Sequence, residues 1–246
     1  MRTTKWREAR KGTKAERGFS LLELSLVLVV IGIIIGAISI GKDVHRNAVN
    51  QRIASEFIQG WLLAYDSFVA GTGVVPGDNV SVPTGCVNGD CGSGGSGQAL
   101  CFDSTPNNLR DAMLAAGIGL PAGRAEGSED RYVYLDSNGI PHDLKVCFQN
   151  VRWTEPAPAP TNFVPRSRNV MVVTGATPAL AGFIDHYLDT VIDARFGNVR
   201  EMGNANSTNS ASLAWSVDET CAYTGACNAL DESQVAEVTA YIKMFR

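Results

Sequence analysis

The longest apolar stretch of this 246-residue chain restricts its possible folds more than any other feature. It runs from Phe19 to Gly41 and contains one charged side chain, Glu23. A helix of that length reaches roughly 34 Å, and the hydrocarbon core of a bilayer is about 30 Å thick. We therefore expect residues 19–41 to form a transmembrane helix in contact with membrane lipid.

The charges on the two sides of this stretch predict its orientation. Residues 1–18 contain seven Lys and Arg against two Glu, whereas the rest of the chain contains 14 Lys and Arg against 23 Asp and Glu. By the positive-inside rule, the basic leader stays in the cytoplasm and the C-terminal part lies outside it. The acidic body also argues against nucleic-acid binding, because phosphate contacts need clustered Lys and Arg.

Two ordinary interpretations of the apolar stretch compete. A cleaved secretory signal peptide could use the small residues Ala37, Ser39 and Gly41, but its apolar region is usually about 7–15 residues long. An uncleaved signal anchor fits the length and orientation but leaves Glu23 unexplained. A carboxylate in a bilayer helix costs about 2.5–3.5 kcal/mol. We therefore expect a positive charge to compensate Glu23.

The residues that lead into the apolar stretch form a specific motif. Residues 17–24 read RGFSLLEL, which places Gly, Phe and then Glu between a basic leader and a long apolar helix. This arrangement resembles the class III signal of type IV prepilins and type II secretion pseudopilins. In that family Glu is the fifth residue of the mature chain.

The resemblance implies a structural subunit of a pilus or pseudopilus. A prepilin peptidase would cut between Gly18 and Phe19 and N-methylate Phe19, and Glu23 would then meet the terminal amine of a neighbouring subunit. The implied partners are this peptidase, other pilin or pseudopilin subunits and an inner-membrane assembly platform. The protein would reside in the inner membrane before it joins a pilus or a periplasmic pseudopilus. Gly32 and Gly36 have the small-xxx-small spacing that lets helices approach closely.

The apolar periodicity continues beyond the membrane stretch. Hydrophobic residues recur every three to five positions from Val44 to Phe68, so one helix is predicted from Ser20 to Val69. The predicted organisation is a leader at 1–18, a transmembrane half at 19–41, an amphipathic half at 42–70 and a head at 71–246. Aromatic residues in the amphipathic half favour packing under the head over a bare stalk.

The head is predicted to be α+β, with a small antiparallel sheet. Strands are expected at Tyr132–Leu135, Leu144–Val151 and Asn169–Val173, with a hairpin turn at 136–139 and an extended linker at 155–160. A short helix is expected at Leu180–Val191. The spacing of Val235, Val238, Ile242 and Phe245 predicts a C-terminal helix.

Six cysteines form an even set outside the cytoplasm, where disulfides are expected. They are Cys86, Cys91, Cys101, Cys147, Cys221 and Cys227. Their pairing stays open at this point, although Cys221 with Cys227 would close a local loop. Zinc is the rival interpretation, but no C-x-x-C pair occurs.

Three aspartates recur every four residues at Asp185, Asp189 and Asp193. On one helix they would share a face and repel one another unless a cation or a basic partner lay beside them. The resemblance implies calcium, because several pseudopilins bind it; a solvated acidic face is the alternative. A Pro-Gly-Asp turn ending at Asp78 and the Ile-Asp stretch that begins at Ile184 also resemble pseudopilin-like proteins.

The sequence contains no recognisable catalytic motif. Its three His are scattered, and neither a nucleophile elbow nor an H-E-x-x-H helix occurs, so the chain is predicted not to be an enzyme. The rival function is a secreted or membrane-anchored binding domain that uses the apolar stretch for targeting alone. A mature N-terminus near residues 39–41, or an uncut chain, would favour that rival.

Overall fold

The computed structural model describes residues 20–92, 95–136, 138–157, 163–215 and 237–245. The chain divides into two compact units, Met1–His45 and Arg46–Arg246. Several predictions fall outside the described residues: the leader at 1–18, the cleavage site at Gly18 and Phe19, residue 137 of the hairpin turn, residues 158–160 of the linker, Cys221, Cys227 and Val235.

A continuous helix from Leu21 to Thr72 confirms the prediction of one long N-terminal helix. It consists of α1 (Leu21–Arg52), a π-helical turn (Ile53–Ile58) and α2 (Gln59–Thr72). The helix ends at Gly73, which has a φ of 78° and donates its N–H to the carbonyl of Val69. Glycine reaches this left-handed conformation without the steric cost that other residues incur.

The π-helical turn lies where the helix enters the core of the second unit. The largest buried side chains there repeat every fourth residue, at Ile53, Phe57, Trp61 and Tyr65. An α-helix repeats every 3.6 residues, so a stripe with a period of four residues drifts around it. A π turn closes i→i+5 hydrogen bonds and takes up one extra residue, which helps to keep the stripe on the face that is buried.

The predicted antiparallel sheet is confirmed, and it has five strands in the part of the head that the structure describes. Its strands are β1 (Arg131–Leu135), β2 (Pro141–Pro156), β3 (Phe163–Ala176), β4 (Val199–Glu201) and β5 (Val238–Lys243). Their order in the sheet is β1-β2-β3-β5-β4. The three predicted strands lie within β1, β2 and β3. Strand β2 continues to Pro156, so the first two residues of the predicted linker belong to a strand.

The prediction of a C-terminal helix is wrong. Residues 238–243 form β5, which pairs with β3 on one side and β4 on the other. Val238, Ala240 and Ile242 are buried on one face of this strand and Tyr241 is buried on the other, whereas Phe245 is 80% exposed. Residues 238–243 are a strand because their backbone pairs with a neighbouring strand on each side. The spacing of the apolar residues along the sequence gives no information about this pairing.

The described part of the head also contains the α-helices α3 (Leu109–Ala115) and α4 (Pro178–Asp189). Helix α4 confirms the short helix predicted at Leu180–Val191, although it ends earlier. Thr177 caps it by accepting the N–H of Leu180, and Thr190 follows it with a φ of 66°.

The amphipathic half of the helix packs against the sheet through aromatic side chains. Phe148 of β2 lies 6.2 Å from Trp61 and 5.0 Å from Tyr65, measured between ring centroids. Phe57 lies 5.5 Å from Tyr132 of β1. All three helix residues are fully buried, which confirms the packed interpretation over that of a bare stalk.

Two disulfides connect parts of the head. Cys86 pairs with Cys91 in the loop after the long helix, and Cys101 pairs with Cys147 of β2. The expectation of disulfides is therefore confirmed for these four cysteines, and the pairing that the sequence left open is resolved for them.

Candidate functional site

The first half of the long helix presents an apolar surface. Every Leu, Ile and Val that the structure describes between Leu21 and Ile40 is exposed. The helix is long enough and apolar enough to cross a membrane. Side chains of this kind are stable in lipid or against other helices, because water penalises each exposed apolar group.

Glu23 closes a reciprocal hydrogen-bonded cap at the beginning of this helix. Its backbone N–H donates to Ser20 Oγ at 3.1 Å, and the Ser20 N–H donates to Glu23 Oε2 at 3.4 Å. This is the S-x-x-E capping box, which sequence reasoning missed although Ser20 and Glu23 have the required spacing. The carboxylate also lies in the first turn of the helix, at the positive end of the helix dipole.

Gly32 and Gly36 lie one helical turn apart in the apolar half. A Cβ added to either glycine would have no heavy atom within 4 Å among the described residues. Space therefore exists on this surface for another helix to approach the backbone closely. Gly-xxx-Gly spacing is typical of such contacts in membranes.

The three aspartates do not share a helix face. Helix α4 ends at Asp189, so Asp193 lies in the loop that follows, and the prediction of one face is wrong. The alternative of a solvated acidic face is wrong as well, because Asp185 and Asp193 are buried. Within the described ranges, no group of three or more His, Cys, Asp or Glu is placed to hold a metal ion.

Each of these carboxylates instead accepts hydrogen bonds. Asp185 Oδ2 accepts from the backbone N–H of Asp193 and from Trp215 Nε1, both at 2.8 Å. Asp189 Oδ2 accepts the backbone N–H groups of Asn198 and Val199. Together these bonds fix the loop between α4 and β4.

The same loop is fixed at its centre by Asp193. Its Oδ1 accepts the N–H groups of Arg195, Phe196 and Leu213 at 2.9 to 3.3 Å. Burial alone would raise the pKa of Asp193, but these hydrogen bonds and one from Ser212 lower it below its ordinary value.

Burial dominates at Asp185 and raises its pKa to about 6. The hydrogen bonds from Trp215 and from the Asp193 amide oppose that shift, whereas the nearby charges of Asp189 and Asp193 add to it. Asp185 Oδ1 has no hydrogen-bond partner among the described residues. Proton uptake at Asp185 is therefore easier than at an exposed aspartate.

The Pro-Gly-Asp turn has a comparable role after the long helix. Gly77 has a φ of 77°, and an added Cβ would lie 2.9 Å from the Cα of Asn88. Asp78 accepts the N–H groups of Asn79, Thr84 and Gly85. Gly77 therefore allows the backbone to turn tightly, and Asp78 closes the loop of residues 78–85 by bonding to its far end.

The described helix is apolar in its first half and carries an acidic residue, Glu23, in its first turn. Residues 13–39 match the family described as the prokaryotic N-terminal methylation motif. This motif is the class III signal of type IV pilins and pseudopilins, and it confirms the resemblance seen in the sequence. The motif and the apolar helix fit membrane anchoring. No curated protein and no solved structure matches the chain.

Proposed function

We propose that this protein is a structural subunit of a type IV pilus or a secretion pseudopilus. The observation that carries the proposal is the N-terminal methylation motif at residues 13–39, which overlaps the exposed apolar half of the helix. Proteins with this motif are structural and not enzymatic. A prepilin peptidase would cut after Gly18 and methylate the amine of Phe19.

Charge and the disulfides support an orientation in the inner membrane. The basic leader would stay in the cytoplasm, and the head would lie outside. Two disulfides in the head support an oxidising compartment. After processing, the protein would leave the membrane through an assembly platform and join other subunits.

Assembly would depend on apolar helix packing for cohesion and on Glu23 for register. The attraction between two unit charges at 4 Å rises from about 1 kcal/mol in water to about 4 kcal/mol near a protein surface, and lipid strengthens it further. The Phe19 amine of a neighbouring subunit is the positive charge that Glu23 requires. A subunit shifted along the filament would leave Glu23 without a partner in an apolar setting. The glycines at 32 and 36 would let the helices approach.

The mature N-terminus tests the processing step. We expect protein purified from membranes of the native host to begin at Phe19 and to carry one additional methyl group, as measured by N-terminal sequencing and intact mass. A terminus near residues 39–41, or an intact Met1, would contradict the proposal and favour a secreted or anchored binding domain.

A Glu23→Val variant tests the register step. We expect it to be inserted and cut like the wild type but to be missing from sheared filaments or cross-linked pseudopili. Ser25→Ala is the matched control, because Ser25 lies on the same helix and its uncharged hydroxyl donates to the Leu22 carbonyl. Normal incorporation of Glu23→Val would refute the role of Glu23.

A further inference from the structure

His142 lies between two carboxylates at one end of the sheet. It is the second residue of β2, and its side chain is 6% exposed. Its Nε2 lies 3.2 Å from Asp136 Oδ2, and its Nδ1 lies 2.9 Å from Glu237 Oε1. Both ring nitrogens therefore face an acceptor.

The two carboxylates belong to different parts of the head. Asp136 closes the turn between β1 and β2, because its Oδ1 accepts the N–H groups of Asn138 and Ile140. Glu237 directly precedes Val238, the first residue of β5. The imidazole thus connects the β1–β2 turn to the beginning of β5, two segments about 100 residues apart in the chain.

The protonation state of the imidazole determines whether both connections hold. A neutral imidazole has one N–H donor, whereas an imidazolium has two. Two carboxylates, which only accept, can both be bonded when the ring is protonated. A neutral ring leaves one ring nitrogen with its lone pair facing a carboxylate, which is repulsive.

Other groups near the ring do not compete for this proton. The Tyr134 ring packs 5.5 Å from the imidazole, and its hydroxyl is held by the Gly175 carbonyl and the Thr177 N–H. Burial raises the pKa of Tyr134 to about 12, so it stays neutral. Arg46 of α1 lines a cleft with Tyr134 and Asp136. These groups and Glu237 are the titratable or charged groups that the described residues place around His142.

We propose that His142, Asp136 and Glu237 form a proton-operated clamp that fastens the beginning of β5 to the β1–β2 turn. Burial alone would lower the pKa of His142, but the hydrogen bonds to Glu237 and Asp136 outweigh it and raise the pKa above its ordinary value. The clamp is closed while His142 carries its proton and both carboxylates are ionised, and it opens when His142 loses that proton. This device goes beyond the proposed assembly role, since it acts within one head.

The sign of the pH effect follows from linkage. The folded head binds the proton more tightly than the unfolded chain, so the stabilisation is complete below about pH 6.5, the ordinary value. Between that pH and the pKa of folded His142, the constant for opening the β5 end rises by up to about tenfold per pH unit. Above the folded pKa the rise stops.

Two measurements on the full chain in detergent micelles test the clamp. The first is an NMR titration of the His142 ring, and the second is hydrogen exchange of the β5 amides, corrected for intrinsic exchange, from pH 6 to pH 9. We expect His142 to titrate above 6.5 and the β5 opening constant to rise over the same pH interval.

Two variants and one control complete the test. His142→Gln should abolish the pH-dependent rise. Glu237→Gln changes a half-exposed side chain and should fold, and it should lower the pKa of His142 and shrink the rise. His186→Gln is the control, because its Nδ1 contacts the Thr190 carbonyl and no carboxylate that the structure describes. Titration of His142 at or below 6.5, or an equal rise in Glu237→Gln and the wild type, would overturn the proposal.

Discussion

Replacing Asp78 by alanine should destabilise the head by opening the loop after the long helix. Its two oxygens accept the Thr84 hydroxyl and the backbone N–H groups of Asn79, Thr84 and Gly85, at distances of 2.7 to 2.9 Å. A hydrogen bond to a charged group contributes about 1.5–3 kcal/mol when it is buried. Asp78 is half-exposed, so water can replace part of each bond. We therefore expect a total loss of about 2–3 kcal/mol for Asp78→Ala.

The pH dependence gives this prediction a second signature. Burial alone would raise the pKa of Asp78, but the hydrogen bonds from Thr84, Gly85 and Asn79 outweigh it and lower the pKa. A lowered pKa means that the stabilisation is present above the unfolded value of about 3.9 and is lost as the pH falls through the folded pKa. The difference between wild type and Asp78→Ala should therefore shrink in acid.

Urea unfolding of the full chain in detergent micelles, followed by tryptophan fluorescence, measures both effects. Thr84→Val is a graded control: it keeps the backbone amide but removes the hydroxyl, which donates to Asp78 and accepts the N–H of Cys86, and it should cost about 1–2 kcal/mol. A loss below 0.5 kcal/mol for Asp78→Ala at pH 7, with about the same difference at pH 3, would refute the reasoning.

Three further predictions concern the core and the head. Trp61→Ala should cost about 3–5 kcal/mol in urea unfolding, because it removes a fully buried ring; a cost near zero would contradict the packing described. Replacing both Cys101 and Cys147 by alanine should lower the free energy of unfolding by up to about 4 kcal/mol, because the disulfide restricts the unfolded chain across a loop of this length. Urea unfolding of both proteins under the same oxidising conditions measures this difference. Asp185→Asn should be more stable than the wild type by about 2 kcal/mol at pH 7, because the raised pKa of Asp185 means that its stabilisation is lost as the pH rises from about 4 to about 6. Equal pH profiles of the two proteins would contradict this last expectation.

The sequence predicts the long helix and the first three strands well because their patterns are local. A run of apolar residues without proline continues into a regular amphipathic stripe, and β-branched and aromatic residues mark β1, β2 and β3. The π-helical turn at Ile53–Ile58 could have been suspected from the four-residue spacing of Ile53, Phe57, Trp61 and Tyr65. The capping box at Ser20 and Glu23 could also have been found from its spacing.

Non-local contacts explain the failures. The spacing of Val238, Ile242 and Phe245 fits a helix, and only the edges offered by β3 and β4 make this segment a strand. The regular spacing of Asp185, Asp189 and Asp193 likewise gives no sign that the helix stops at Asp189. In the folded protein these carboxylates accept N–H groups of the loop between α4 and β4. The sequence alone does not show that this loop folds back onto them.

The position of β5 in the sheet sets the order in which the head can be completed. It is the last in chain order of the strands that the structure describes, yet it lies between β3 and β4. While the ribosome is still synthesising residues before 238, β3 has an open edge and the three-residue β4 has no neighbour to pair with. Such edges invite pairing with other chains. Until residues 238–243 join the sheet, the edge of β3 that they cover is therefore open to pairing with other chains.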